Sequence, residues 1–230
     1  MNRSELAGPW RVDVGGGETV GAMFEPAPSP SGTLYVCAHG AGGHMGDSSM
    51  QAATRLMLAC SLDVVRFNFL YREKKANRPD AMPQLKACFA AVAAFASAAV
   101  RPQRLILGGR SMGGRAASML VADGYACDGL LLLAYPLHPA GQPEKLRDAH
   151  LGRITVPVLC FNGTRDALCR QDLMQQTLQS LSELWTMHWL DGADHSFHVL
   201  KSSGRTDRDV LAEVGDATTA WLAAKVRRKP

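Results

Sequence analysis

Along almost the whole of this sequence, short unbroken apolar runs alternate with longer segments of helical periodicity. Runs such as "TLYVCAH", "GLLLLAY" and "PVLCFNG" carry apolar side chains at consecutive positions, so both faces of each strand must be covered. The pattern predicts strands over 11–14, 19–24, 33–39, 63–69, 104–109, 129–135, 157–163 and 185–190. The helix patterns are "DSSMQAATRLMLAC" with Asp47 as its cap, "PDAMPQLKACFAAVAAFASAA", "GGRAASMLVADG", "RQDLMQQTLQSL" and "DVLAEVGDATTAWLAAKV". Such alternation predicts an α/β fold, a mostly parallel central sheet with helices on both faces. The first two strand candidates have no helix between them, which predicts an antiparallel hairpin at one edge. "EPAPSPSG" (25–32) reads as a turn-rich connection with too little chain before it to fold alone, so one domain over 1–230 is expected.

Apolar residues make up 47% of the chain and charged residues 20%, an ordinary globular balance that argues against disorder. The net charge is only +4, and part of it lies in the terminal "KVRRKP", which reads as a solvated helix end. No nucleic-acid partner is expected. No apolar stretch reads as a membrane span and "MNRSELAGPWRV" lacks a signal-peptide core, so no membrane partner and a cytoplasmic location are expected. Cys37, Cys60, Cys88, Cys127, Cys160 and Cys169 are scattered, with no C-x-x-C pair. They read as reduced thiols, with neither a disulfide framework nor a metal site.

The chemistry concentrates at "LILGGRSMGGRAA" (105–117). Its core, "GRSMG", places glycine two residues before and two after Ser111, directly between a strand pattern and a helix pattern. A serine on a tight strand-to-helix turn presents its hydroxyl at the sheet's carboxyl edge, and glycines on either side remove backbone clashes. The helix that follows aims its amide-rich N-terminus at the same point.

A serine hydroxyl needs a base, and the base needs an orienting acid. "FNGTRDAL" supplies Asp166 just past the end of an apolar strand, and "LDGADHSFHVL" supplies His195 in a loop between the last strand and the last helix. The order Ser111, Asp166, His195 puts all three at strand carboxyl ends. Asp191 and Asp194 lie too near His195 in sequence to face its ring easily, and Asp194 is expected to stiffen the loop. His198 sits nearer the helix side, and His188 alternates within a strand and reads as structural. An oxyanion would take the amide of Met112, next after the serine, and that of Ala41 in the glycine-rich "CAHGAGGHMGD". That loop lacks both G-x-G-x-x-G and the Lys-Ser/Thr of a phosphate-binding loop, which argues against a nucleotide. No cofactor and no metal are expected.

Taken together, these residues resemble the α/β-hydrolase superfamily over about Thr33 to Trp221. "HGAGG", "FNFLYREK", "GGRSMGGRAA", "YPLHPAGQPEKLR", "FNGTRDAL" and "GADHSF" are similar to its small single-domain branch, the dienelactone-hydrolase-like and testis-expressed-like group. The resemblance implies Ser111 as nucleophile, His195 as base, Asp166 as its partner, and Ala41 with Met112 as oxyanion donors. Dienelactone hydrolases use cysteine where this chain has Ser111, so their lactone substrate is not carried over. The expected activity is a serine hydrolase that cleaves a carboxylic ester, thioester or related acyl bond of a small molecule through an acyl-enzyme. The alternatives are acyl transfer by the same residues, or a scaffold that keeps the fold without turnover.

Arg110 and Arg115 are unusual in a packed strand–helix unit, and bracing a loop carboxylate is the expectation for one of them, against recognition of an acidic substrate group. Tyr71 in "YREKKANRPD" and His138 in "YPLHPAG" are the candidates for pocket contacts. Residues 137–154 leave room for a minimal lid only, which predicts a small or open acyl pocket.

Overall fold

The structure, a computed structural model, describes residues 3–181 and 183–226. The end of "KVRRKP", read above as a solvated helix terminus, lies outside them beyond Val226. After a single helical turn, α1 (Arg3–Leu6), the strands β1 (Gly8–Gly15) and β2 (Glu18–Glu25) form the antiparallel hairpin. There follow β3 (Thr33–Ala38), α2 (Ser48–Ala59), β4 (Leu62–Phe67), α3 (Leu70–Glu73), α4 (Met82–Val100), β5 (Arg104–Arg110) and α5 (Met112–Ala122). The chain ends with β6 (Gly129–Leu133), β7 (Val158–Gly163), α6 (Gln171–Gln179), β8 (Trp185–Leu190) and α7 (Asp207–Lys225). One eight-stranded sheet runs in the order β1-β2-β4-β3-β5-β6-β7-β8. β2 meets β4 antiparallel, and every pair from β4 to β8 is parallel.

The unbroken apolar runs feed two separate cores. Leu34, Val36, Leu130 and Leu132 point to one face, against Leu85, Phe89 and Val92 of α4 and Ala116 and Leu120 of α5. Tyr35, Cys37, Leu131 and Leu133 point to the other, against Met50 and Met57 of α2 and Val210, Val214 and Trp221 of α7. Alternate residues of a strand face opposite sides, so a four-leucine run satisfies both layers at once.

Two local expectations change. Asp47 does precede α2, but it makes no side-chain cap; its carboxylate instead accepts the His44 amide at 2.8 Å and pairs with the His44 ring at 3.0 Å. That bond ties up the loop before the helix rather than the helix itself. α4 is also long and apolar enough, at 19 residues and a mean hydropathy of 1.4, to match a membrane span by length and composition. Here Leu85, Cys88, Phe89, Val92, Ala93, Ala96 and Val100 bury its inner face against the sheet. α1 and α3 are single turns, too short to show a helical period.

Candidate active site

Ser111 stands between the last residue of β5 and the first of α5. Its φ of 51° and ψ of −115° are a conformation that residues with a Cβ rarely hold, and its amide is anchored to the Leu133 carbonyl of β6 at 2.8 Å. The flanking glycines have a sharper reason than proximity to the serine. A Cβ on Gly109 or on Gly113 would each sit 2.3 Å from the carbonyl oxygen of Ala38, at the end of β3. The turn therefore closes only where β3 can pass beside it without a side chain between.

Asp166 lies in the loop after β7 and His195 in the loop after β8. The His195 Nδ1 is 2.8 and 2.9 Å from the two Asp166 oxygens, and its Nε2 is 3.0 Å from Ser111 Oγ. Asp166 is buried, and its oxygens also accept the Leu168 amide at 2.8 Å and the Asn162 side-chain amide at 3.0 Å. With Nδ1 hydrogen-bonded to a carboxylate, the ring carries its proton there, and Nε2 is left as an acceptor for the serine hydroxyl.

The rivals go elsewhere. His198 pairs with Asp207 at 3.0 Å, and His188 meets Glu213 of α7 at 2.8 Å. The Asp194 carboxylate accepts the amides of Ser196 at 2.7 Å and His198 at 3.1 Å, stiffening the loop that carries His195.

Met112 opens α5, so its amide has no partner inside the helix. Among the described residues, neither it nor the Ala41 amide donates to a carbonyl or side chain, and both residues wall the cavity that contains Ser111. Two residues position the Ala41 loop. His39, buried, has Nδ1 2.8 Å from the Gly40 carbonyl, while its Nε2 accepts the Phe69 amide at 3.2 Å. Burial holds its pKa below the usual histidine range, so the neutral ring is the form that makes both bonds. The Tyr71 hydroxyl accepts the Gly42 amide at 3.3 Å, and the tyrosine is itself buried.

A profile of the alpha/beta hydrolase domain matches residues 31–223. The chain belongs to the alpha/beta hydrolase family. Solved structures share this hydrolase's fold along nearly their full lengths. A serine hydrolase homologue from Coxiella burnetii is 18% identical with a TM-score of 0.74, covering 93% of this chain and 96% of its own. An α/β serine hydrolase without lid from Xanthomonas campestris is 21% identical with a TM-score of 0.73, covering 95% and 96%. A dienelactone hydrolase from Anabaena variabilis is 16% identical with a TM-score of 0.72, covering 95% and 97%.

In this α/β hydrolase the cavity beside Ser111 measures about 440 Å³. The segment after β6 lends it Pro136, Pro139, Ala140 and Arg147, and Met82 and Leu85 come from α4. Neither Tyr71 nor His138 contributes to its wall. Tyr71 supports the Ala41 loop from behind. His138 is buried within its own turn, its Nε2 accepting the Arg170 amide at 3.1 Å. In each case the polar atoms of the ring are satisfied by neighbouring loop backbone: the Tyr71 hydroxyl by the Gly42 amide, and the two His138 nitrogens by the Pro139 carbonyl and the Arg170 amide.

Among the described residues Arg110 forms no ion pair with a carboxylate. Its guanidinium donates to the main-chain carbonyl of His195 and lies 5.0 Å over the Phe197 ring. Asn162, His39 and Arg110 are the supports that sequence reading missed or misassigned; a polar residue at the buried end of an apolar strand, as Asn162 is, was the available signal. Among the described residues no two cysteines form a disulfide, and no three of His, Cys, Asp or Glu gather as metal ligands would.

Proposed function

We propose that this α/β hydrolase is a serine hydrolase that cleaves carboxylic esters, thioesters or related acyl bonds of small molecules. The observation that carries the reading is the continuous chain from Ser111 Oγ through the His195 ring to the buried Asp166 carboxylate. Ser111 Oγ attacks the acyl carbon as its proton passes to His195 Nε2, and the carbonyl oxygen becomes an oxyanion held by the amides of Ala41 and Met112. Asp166 keeps the ring oriented and stabilises the imidazolium. Collapse of the intermediate expels the alcohol or thiol, which takes the proton from Nε2 and leaves an acyl-Ser111 ester. Water, deprotonated by the same nitrogen, attacks that ester and restores the serine while the acid departs. The His195 side chain is 27% exposed, so solvent reaches the base and water is the natural acceptor. Six reduced thiols accord with a cytoplasmic setting.

The test is fluorophosphonate labelling of wild type beside Ser111→Ala, His195→Ala and Asp166→Asn, followed by turnover of short-to-long acyl esters. Labelling and turnover lost in Ser111→Ala and His195→Ala, with Asp166→Asn slowed by about 10⁴-fold, are the expected result. A folded wild-type protein that neither labels nor turns over any ester would make this chain a scaffold instead.

A further inference from the structure

Two arginines wall the cavity beside Ser111, Arg115 from α5 and Arg147 from the segment after β6. Neither takes part in an ion pair among the described residues, although twelve such pairs elsewhere engage arginine, lysine and histidine. The Arg115 Nε is shut away from solvent without any hydrogen-bond partner. Among the described residues the Arg147 guanidinium makes only a long hydrogen bond, 3.5 Å, from Nη1 to the Pro136 carbonyl. The cavity's one carboxylate, Asp80, lies beyond 4 Å of either guanidinium and accepts the Tyr71 amide at 3.0 Å.

Burial and the neighbouring charge of Arg115 together hold Arg147 below the usual arginine range. Two guanidinium groups on the wall of one part-buried cavity, neither ion-paired among the described residues, are an arrangement stabilised by an anion. Their place relative to Ser111 is fixed. Arg115 follows it by four residues, its amide bonded to the Ser111 carbonyl at 3.0 Å, about 6 Å along the helix axis. Side chains on a helix lean toward its N-terminus, which inclines the Arg115 stem toward the serine end of α5, and both residues line the same cavity. The same cavity has apolar walls from Met82, Leu85 and Leu168.

We propose that Arg115 and Arg147 form an anion subsite, and that the substrate is an ester whose aliphatic acyl chain ends in a carboxylate or phosphate. This rests on the hydrolase reading above, with Ser111 at the acyl carbon. The guanidinium pair holds the far end of the acyl chain, the apolar wall accepts its methylenes, and the ester carbonyl is delivered to Ser111.

The test compares p-nitrophenyl hydrogen adipate with p-nitrophenyl hexanoate, which have acyl chains of equal length with and without the terminal anion. Wild type is expected to favour the adipate in kcat/KM by on the order of tenfold to a hundredfold, as charged hydrogen bonds at a desolvated site provide. Arg115→Gln and Arg147→Gln should each collapse that ratio through KM, and Arg115→Lys should restore part of it. A wild-type ratio at or below one, or a ratio unchanged in both glutamine variants, overturns the subsite. Calorimetric titration of Ser111→Ala with adipate dianion keeps the proposal testable without turnover and in case a glutamine variant fails to fold. Saturable binding that weakens with added salt supports it, and no binding overturns it. Hydrolysis of the hexanoate with no preference for the adipate would refute the subsite and leave the hydrolase reading standing. Adipate binding without turnover of either ester would do the reverse.

Discussion

Arg110 donates from its guanidinium to the main-chain carbonyl of His195, so the residue before Ser111 holds in place the residue that faces Ser111. The same guanidinium lies over Phe197, which itself has a positive φ of 65° in the His195 loop. Burial lowers the Arg110 pKa, with the charges of Asp166 and Asp194 working in the opposite direction.

Replacing Arg110 by methionine keeps most of the stem's packing and removes both attachments to the loop. The His195 carbonyl loses its donor, and the expected cost is about 1–3 kcal/mol of stability. Fluorophosphonate labelling should slow by at least about tenfold, because His195 no longer has a fixed height above Ser111. A labelling rate equal to wild type, measured with urea unfolding on the same sample, would show that the tether carries no positioning role.

Ser111→Gly is expected to abolish labelling while raising stability. Glycine adopts a φ of 51° without the cost a Cβ imposes, a relief of about 1 kcal/mol or more. For a chain of this length that corresponds to a Tm higher by about 2–4 °C. Ser111→Ala retains the Cβ and should show no such gain, so calorimetric scans of the two side by side separate strain from chemistry.

Gly113→Ala should damage the fold as well as the site. Its methyl group would meet the Ala38 carbonyl at 2.3 Å and the His39 carbonyl at 2.7 Å, both backbone atoms of the neighbouring strand end. Moving α5 away from β3 is the only relief, and the expected loss is about 3 kcal/mol or more. Gly124→Ala, where nothing lies within 4 Å of the added carbon but φ is 97°, is the comparison that carries backbone strain alone. Denaturation midpoints for the pair would rank the two costs.

His150 gives the protein a definite acid sensitivity. Burial, with the charges of Arg115 and Arg153 adding to it, holds its pKa down from 6.5 to about 4, and its Nε2 lies 2.8 Å from Ser118 Oγ. Between those values the unfolded chain binds the proton and the folded chain does not, so stability rises with pH across that window. It is lost as pH falls from about 6.5 toward about 4, and below that both states are protonated and the effect saturates. His150→Gln keeps a donor for Ser118 without titrating. Its urea midpoint should therefore change less than wild type's between about pH 4.5 and pH 7, and equal slopes would remove His150 from the account.

The order of strands and helices, the edge hairpin and the serine on its turn were all legible along the chain, because each is a local statement. A period of two or 3.6 residues, or a glycine beside a tight turn, is written in neighbouring positions. The order Ser111, Asp166, His195 was legible in the same way, as three loops each following a strand.

What the sequence could not contain was the meeting of those loops. Ser111 and His195 are separated by 84 residues and Asp166 and His195 by 29, and their contact depends on β5, β7 and β8 lying parallel in one sheet. The same holds for the residues whose roles changed. Tyr71 and His138 turn inward to loop amides, Arg110 reaches the His195 carbonyl, and Arg115 and Arg147 share a cavity although 32 residues apart. Hydrophobic periodicity determines which face of an element is buried. Which polar tips meet at its end is decided by the neighbours that strand order supplies, and that order is a property of the folded sheet.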